Sequence, residues 1–259
     1  MKIIRIVLIV LILSIAVAAL FCVRKSQYPK SKATAMLLET APQSSSAEAP
    51  LNYKDVIANL EAKRGTLALR YQQTASATKQ TEIITEARNL VTLSIYREIF
   101  PSWYGTAWDF NGTTEVPRQG KIACGYFVTT VLRDAGWRLQ RTRLAQQASE
   151  NIIMSLTTES YVKRFRRVAI DDFVSAVSKW GAGIYVVGLD IHTGFIVNTG
   201  EEVYFIHASY VEPYVVVREK ATESKILGTS NYRVLGKVTA DDVFIRKWLF
   251  RQEIITRTS

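Results

Sequence analysis

G-I-Y-V-V-G-L (183–189), H-T-G-F-I-V (192–197), E-V-Y-F-I-H-A (202–208), Y-V-V-V-R-E (214–219) and Y-R-V-L-G-K-V (232–238) follow one another in the C-terminal third of the chain. Each run is rich in β-branched and aromatic residues, and Gly, Asn or Pro separates it from the next, which is the composition of strands joined by short turns. Upstream the pattern is helical. Asn52 is a fitting N-cap for Y-K-D-V-I-A-N-L-E-A-K. Apolar positions from Ile83 to Ile99 repeat at helical spacing over about 81–100, and Pro101 is expected to stop that helix. Further helices are expected from Cys124 to Gly136, over 143–157 and 171–179, and from 239 to near Phe250. Helices first and strands afterwards make an α+β fold, with helices segregated to one side of a mostly antiparallel sheet.

Outward from this core the chain simplifies. Residues 6–23 are apolar apart from Ser14, and a span of 18 residues is about the minimum for a bilayer-crossing helix. Residues 1–25 are therefore read as a membrane anchor, although Ala16-Val17-Ala18 also fits a signal-peptide cleavage site. Residues 26–50, rich in Ser, Ala and Pro, read as a linker, 51–100 as an N-terminal helical segment and 101–259 as the main domain. The charges flanking the apolar run do not favour export of the main domain; its extracytoplasmic, periplasmic location is expected from its chemistry instead.

The net charge of +10 is concentrated where lipid headgroups would lie: Lys2, Arg5, Arg24, Lys25, Lys30 and Lys32 fall in the first 35 residues, which hold no acid, leaving +4 for the rest. Such a distribution argues against nucleic acid as a partner. With two histidines and two well-separated cysteines, no zinc set can be assembled, and no metal or other cofactor is expected.

Cys22 lies in the apolar run, which leaves Cys124 as the thiol of the soluble part. It stands at a loop-to-helix junction in I-A-C-G-Y-F-V, where unpaired helix N–H groups stabilise charge on sulfur and can hold an oxyanion. Gly125 leaves the approach to the sulfur free of a side chain. His192 opens one strand and His207 ends the next, and a turn near Asn198-Thr199-Gly200 would bring the two imidazoles together. A nucleophile, a base and a polar orienter are what thiol catalysis requires. Either histidine alone also fits a structural role. In the aromatic loop, Trp103, Tyr104, Trp108 and Phe110 are groove candidates or loop packing, and Arg141 either anchors the segment after the Cys124 helix or binds a substrate carboxylate. Lys163–Arg167 reads as a solvated basic face, and Asp171-Asp172 and Asp241-Asp242 as helix starts.

Four stretches in order, C-G-Y-F-V (124–128), G-W-R-L-Q-R-T-R-L-A-Q-Q (136–147), H-T-G-F-I (192–196) and F-I-H-A (205–208), resemble the NlpC-type papain-like cell-wall cysteine peptidases. The resemblance covers about residues 100–210. It implies a papain-like domain in which Cys124 is the nucleophile, His192 the base and His207 the third member, acting on amide bonds of peptidoglycan stem peptides. Where that family carries Asp before and Ser after the cysteine, this chain has Ala123 and Gly125, and Trp103-Tyr104-Gly105-Thr106 matches the family's upstream aromatic motif loosely. A catalytically silent domain binding cell-wall glycopeptide, or an acyl transferase or thioesterase on the same scaffold, is the alternative expectation.

Overall fold

The computed structural model describes residues 52–258; the apolar run at 6–23 and the linker at 26–50 lie outside them. Among the described residues no helix is long and apolar enough to cross a membrane.

The elements, in chain order, are α1 (Tyr53–Gln72), α2 (Ala77–Ser94), β1 (Ala107–Trp108), β2 (Lys121–Ile122), α3 (Cys124–Asp134), α4 (Arg141–Ala145), α5 (Ser149–Leu156), β3 (Val162–Arg166), α6 (Ile170–Trp180), β4 (Gly183–Leu189), β5 (Thr193–Asn198), β6 (Val203–Ala208), β7 (Val216–Lys220), α7 (Lys225–Thr229), β8 (Tyr232–Gly236) and α8 (Asp242–Leu249). Six strands form an antiparallel sheet in the order β3-β8-β4-β5-β6-β7. The α+β class and the five later strands thus agree with the sequence reading.

Both faces of this sheet are covered. Ile184, Val186, Phe195, Val197 and Ile206 join the core that also holds α1, α2, α3 and α8, whereas Tyr185, Val187, Leu189, Ile196 and Phe205 pack with Phe173 and Val177 of α6. The expectation of helices on one side only is therefore corrected. The cause is visible in β4, where all seven residues are buried: a strand covered on both faces carries a continuous apolar run rather than an alternating one.

Three other boundaries shift. Pro101 does not end the second helix: α2 widens into a π turn over Ile95–Ile99, and Pro101 enters a following turn, Phe100–Trp103, near its start, where its missing N–H costs little. The helix expected over 143–157 is two helices, α4 and α5. The basic run at 163–167 is mostly the edge strand β3, whose ladder to β8 runs from Val162↔Gly236 to Arg166↔Tyr232; charged side chains on an edge strand discourage further strand addition. Asn52 and Asp241 cap α1 and α8 as expected, accepting from the N–H of Lys54 and Val243.

The helices of 51–100 share the main core instead of forming a bundle of their own. Tyr53 Oη donates to Asp134 at 2.7 Å and accepts from Trp103 Nε1 at 2.8 Å, while Arg64 Nη1 donates to the carbonyl of Leu249 at 2.5 Å. Beneath α3, Phe127 meets Phe195 edge-on with centroids 5.8 Å apart, and Phe100 lies 5.0 Å from Phe195. Aromatic packing of this kind fixes the helix that carries Cys124 against β5.

Candidate active site

Cys124 is the first residue of α3, and its N-cap, Ala123, supplies no side-chain hydrogen bond. The first N–H groups of the helix are consequently available to the thiol: Sγ takes hydrogen bonds from the N–H of Cys124, of Gly125 and of Thr193, the residue after His192. The last of these ties the sulfur to the start of β5. Gly125 serves close packing rather than an open approach to sulfur, since a Cβ there would overlap the carbonyl oxygen of Ala145 at the end of α4.

The two histidines meet on neighbouring strands. His192 Nε2 lies 3.0 Å from His207 Nδ1, and both rings are buried. Gly194 permits this approach: continuing the β5–β6 register by one pair sets it opposite His207, and a Cβ on it would stand 2.8 Å from that of His207. His207 stacks on Phe205 at 4.0 Å, and Tyr210 meets His192 edge-on at 5.0 Å.

The array extends one strand further than the sequence suggested. His207 Nε2 lies 3.1 Å from Glu219 Oε1 on β7. Phe205 pairs with Glu219 and His207 with Val217, so His207 and Glu219 are diagonal neighbours on one face. Burial pushes the Glu219 carboxyl up, but hydrogen bonds from His207 and Ser224 outweigh it and hold the group below the ordinary carboxylate range.

These partners fix the proton positions. An ionised Glu219 accepts the His207 Nε2 proton, so neutral His207 presents a bare Nδ1, to which His192 Nε2–H donates. His192 Nδ1 is then left with its lone pair. Burial, and secondarily His207, holds His192 well below the ordinary imidazole value of 6.5; burial also lowers His207, partly countered by Glu219. Burial raises the Cys124 thiol, with the three backbone N–H groups opposing it. At neutral pH the site therefore rests with a neutral thiol and a neutral imidazole lining one cleft.

Two buried neutral imidazoles make the fold acid-sensitive. Below pH 6.5 the unfolded chain binds protons that the folded chain does not, so stability is complete above that value and falls as the pH drops through it. Urea midpoints between pH 7.5 and 5 should fall in the wild type and fall less in His192→Asn; parallel profiles would contradict the assignment.

Cys124 and His192 open into a cleft of about 610 Å³. Trp108, Phe110, Tyr126, Ile191 and Tyr210 form its apolar walls, and Asn111, Thr113 and Gln146 are the neutral polar residues of its lining. Of the four aromatic candidates, Trp108 and Phe110 reach the cleft. Trp103 is in the core, fully buried, and Tyr104 packs half-buried against that core. Arg141 is an anchor: Nε donates to Thr130 Oγ1 at 2.7 Å, Nη2 donates to the carbonyls of Thr113 and Thr114, both at 2.9 Å, and the guanidinium lies over the Tyr126 ring at 4.8 Å. Gly125 lines the cleft through its backbone.

Sequence reasoning missed Glu219, Ser224, Tyr126, Ile191 and Tyr210. Glu219 had a faint signal, as an acid two places along a strand from Val217, but only the register shows that it faces His207. No family model, no curated protein and no solved structure matches the chain.

Proposed function

We propose that the protein is a cysteine hydrolase with a papain-like catalytic domain, cleaving amide bonds through an acyl-enzyme on Cys124. The observation that carries this reading is the ordered hydrogen-bond chain from His192 Nε2 through His207 to Glu219, which leaves His192 Nδ1 unprotonated in the cleft that also holds the helix-start thiol. His192 Nδ1 accepts the thiol proton as sulfur attacks the carbonyl carbon, forming the C–S bond. The oxyanion is held by N–H groups at the start of α3. As the C–N bond breaks, His192 returns the proton to the leaving amine. Water then gives a proton to His192 and its hydroxide to the thioester; the C–S bond breaks and the thiol is restored.

The resemblance to NlpC-type enzymes makes peptidoglycan stem peptides the first natural substrate to test, and a periplasmic domain tethered through residues 6–23 is the arrangement in which such a substrate is reached. The acyl transferase and thioesterase readings share the same acyl-enzyme and differ in the acceptor or the leaving group.

Incubating the full-length protein with p-nitrophenyl acetate tests the shared step. A burst of nitrophenolate and an acetylated Cys124 peptide by mass spectrometry are expected. Nitrophenolate release just as fast from Cys124→Ala would remove the hydrolase reading and favour a silent glycopeptide-binding domain.

A further inference from the structure

Resting on the acyl-enzyme reading but not on its stem-peptide substrate, we propose that the cleft selects an uncharged acyl donor with a large apolar side group, such as an N-blocked aromatic or long aliphatic acyl carbonyl, and excludes free amines and carboxylates near the scissile bond, which sets its substrate apart from the charged stem peptides that the resemblance implies.

The lining supports this in three ways. First, among the described residues no Asp, Glu, Lys or Arg lines the cleft. A substrate ammonium or carboxylate entering it would lose water and find no counter-charge, a heavy penalty. Glu219, the carboxylate of the hydrogen-bond chain, is occupied by His207 and Ser224. Ala123, just before the thiol, lines the cleft where a carboxylate could have received an amino terminus.

Second, the walls are continuous apolar surface that leads to the base. Tyr210 packs on the His192 ring at 5.0 Å, and Trp108 lies 6.3 Å from Tyr210. Phe110 and Ile191 line the same cleft while 81 % and 80 % exposed. Large apolar side chains left in water at the mouth of a reactive cleft mark a surface completed by ligand.

Third, the polar remainder is neutral. Asn111, Thr113 and Gln146 suit the amide groups of an uncharged chain, and a cleft of about 610 Å³ falls in the range that encloses a drug-sized ligand.

The test compares reagents that share one warhead. Full-length protein is alkylated with iodoacetamide, N-benzyl iodoacetamide, N-(2-aminoethyl) iodoacetamide and iodoacetate. The rate at Cys124, followed by peptide mass, is divided by the rate with free N-acetylcysteine. The benzyl reagent should exceed both charged reagents about tenfold or more, and Phe110→Ser and Ile191→Ser should each shrink that ratio several-fold. Equal normalised rates, or preference for either charged reagent, would overturn the proposal. A benzyl preference in a protein that releases nitrophenolate from p-nitrophenyl acetate no faster than Cys124→Ala does would support the apolar specificity and overturn the hydrolase reading alone.

Discussion

Cys124→Ala and His192→Ala should each reduce turnover of p-nitrophenyl acetate or of a cleavable amide by about 10⁴-fold or more, and the double variant should be no worse than either single one. The reason is that the two groups act on one proton. The thiol rests protonated because burial outweighs the three N–H groups directed at Sγ; without His192 Nδ1 nothing in the hydrogen-bond chain removes that proton, and without Sγ the imidazole has nothing to activate. Losses that added in the double variant would mean that the residues work independently. His207→Ala should be less damaging than His192→Ala, since it orients the base and does not touch the thiol proton; the opposite ranking would reverse their roles.

Glu219→Gln should lower kcat by about 10²-fold or more while leaving KM for a neutral substrate within a few-fold, because the change is to a proton position rather than to the cleft. With the carboxylate present, His207 carries its proton on Nε2 and its bare Nδ1 accepts from His192 Nε2–H. A glutamine amide can turn its NH₂ toward His207, which then holds its proton on Nδ1 and donates it to His192 Nε2. His192 would carry its own proton on Nδ1 and could no longer accept one from sulfur. The two tautomers are distinguishable by ¹⁵N imidazole shifts, a readout that a purely structural role for Glu219 would not move. Unchanged kcat and unchanged shifts would remove Glu219 from the relay. Glu219→Asp, which keeps the charge but shortens the reach, should recover part of the rate.

Much of the scaffold was legible because local chemistry and tertiary environment agreed. Val, Ile, Tyr and Phe in β4 to β8 are buried apart from the half-buried Tyr204, Val217 and Tyr232, and Asn52 and Asp241 cap the helices they precede. Misreadings arose where the outcome depends on distant packing. The basic residues of Lys163–Arg167 are exposed, as their composition implies, but that the run is largely an edge strand depends on the ladder that β8 offers it. Pro101 reads as a stop, but the π turn before it lets helical backbone continue.

The site divides in the same way. Cys124, His192 and His207 could be selected because thiols and imidazoles are scarce in this chain and lie at element ends. In the aromatic loop no periodicity separates residues that face the cleft from those that face the core, so Trp103 and Trp108 could not be told apart. Arg141 offered two readings, and the acceptors that settle its position, on Thr113, Thr114 and Thr130, are 11 or more residues away. Glu219 needed the β6–β7 register, which depends on how the chain turns between Ala208 and Val216.

The carboxylate that orders these protons belongs to β7, one of the two edge strands of the sheet, whereas the imidazoles belong to the start of β5 and to its paired neighbour β6. The beginning of β7 is clamped on its free side, where Gly105 N–H donates to the Val216 carbonyl and Val216 N–H to that of Thr106, and these clamps stop short of Glu219. Strand ends without a second neighbour fray first on warming. Heat should thus uncouple the acid from the rings while nucleophile and base remain aligned, so the rate declines in two stages: a slowed enzyme at intermediate temperature, and complete inactivation only when the sheet itself melts.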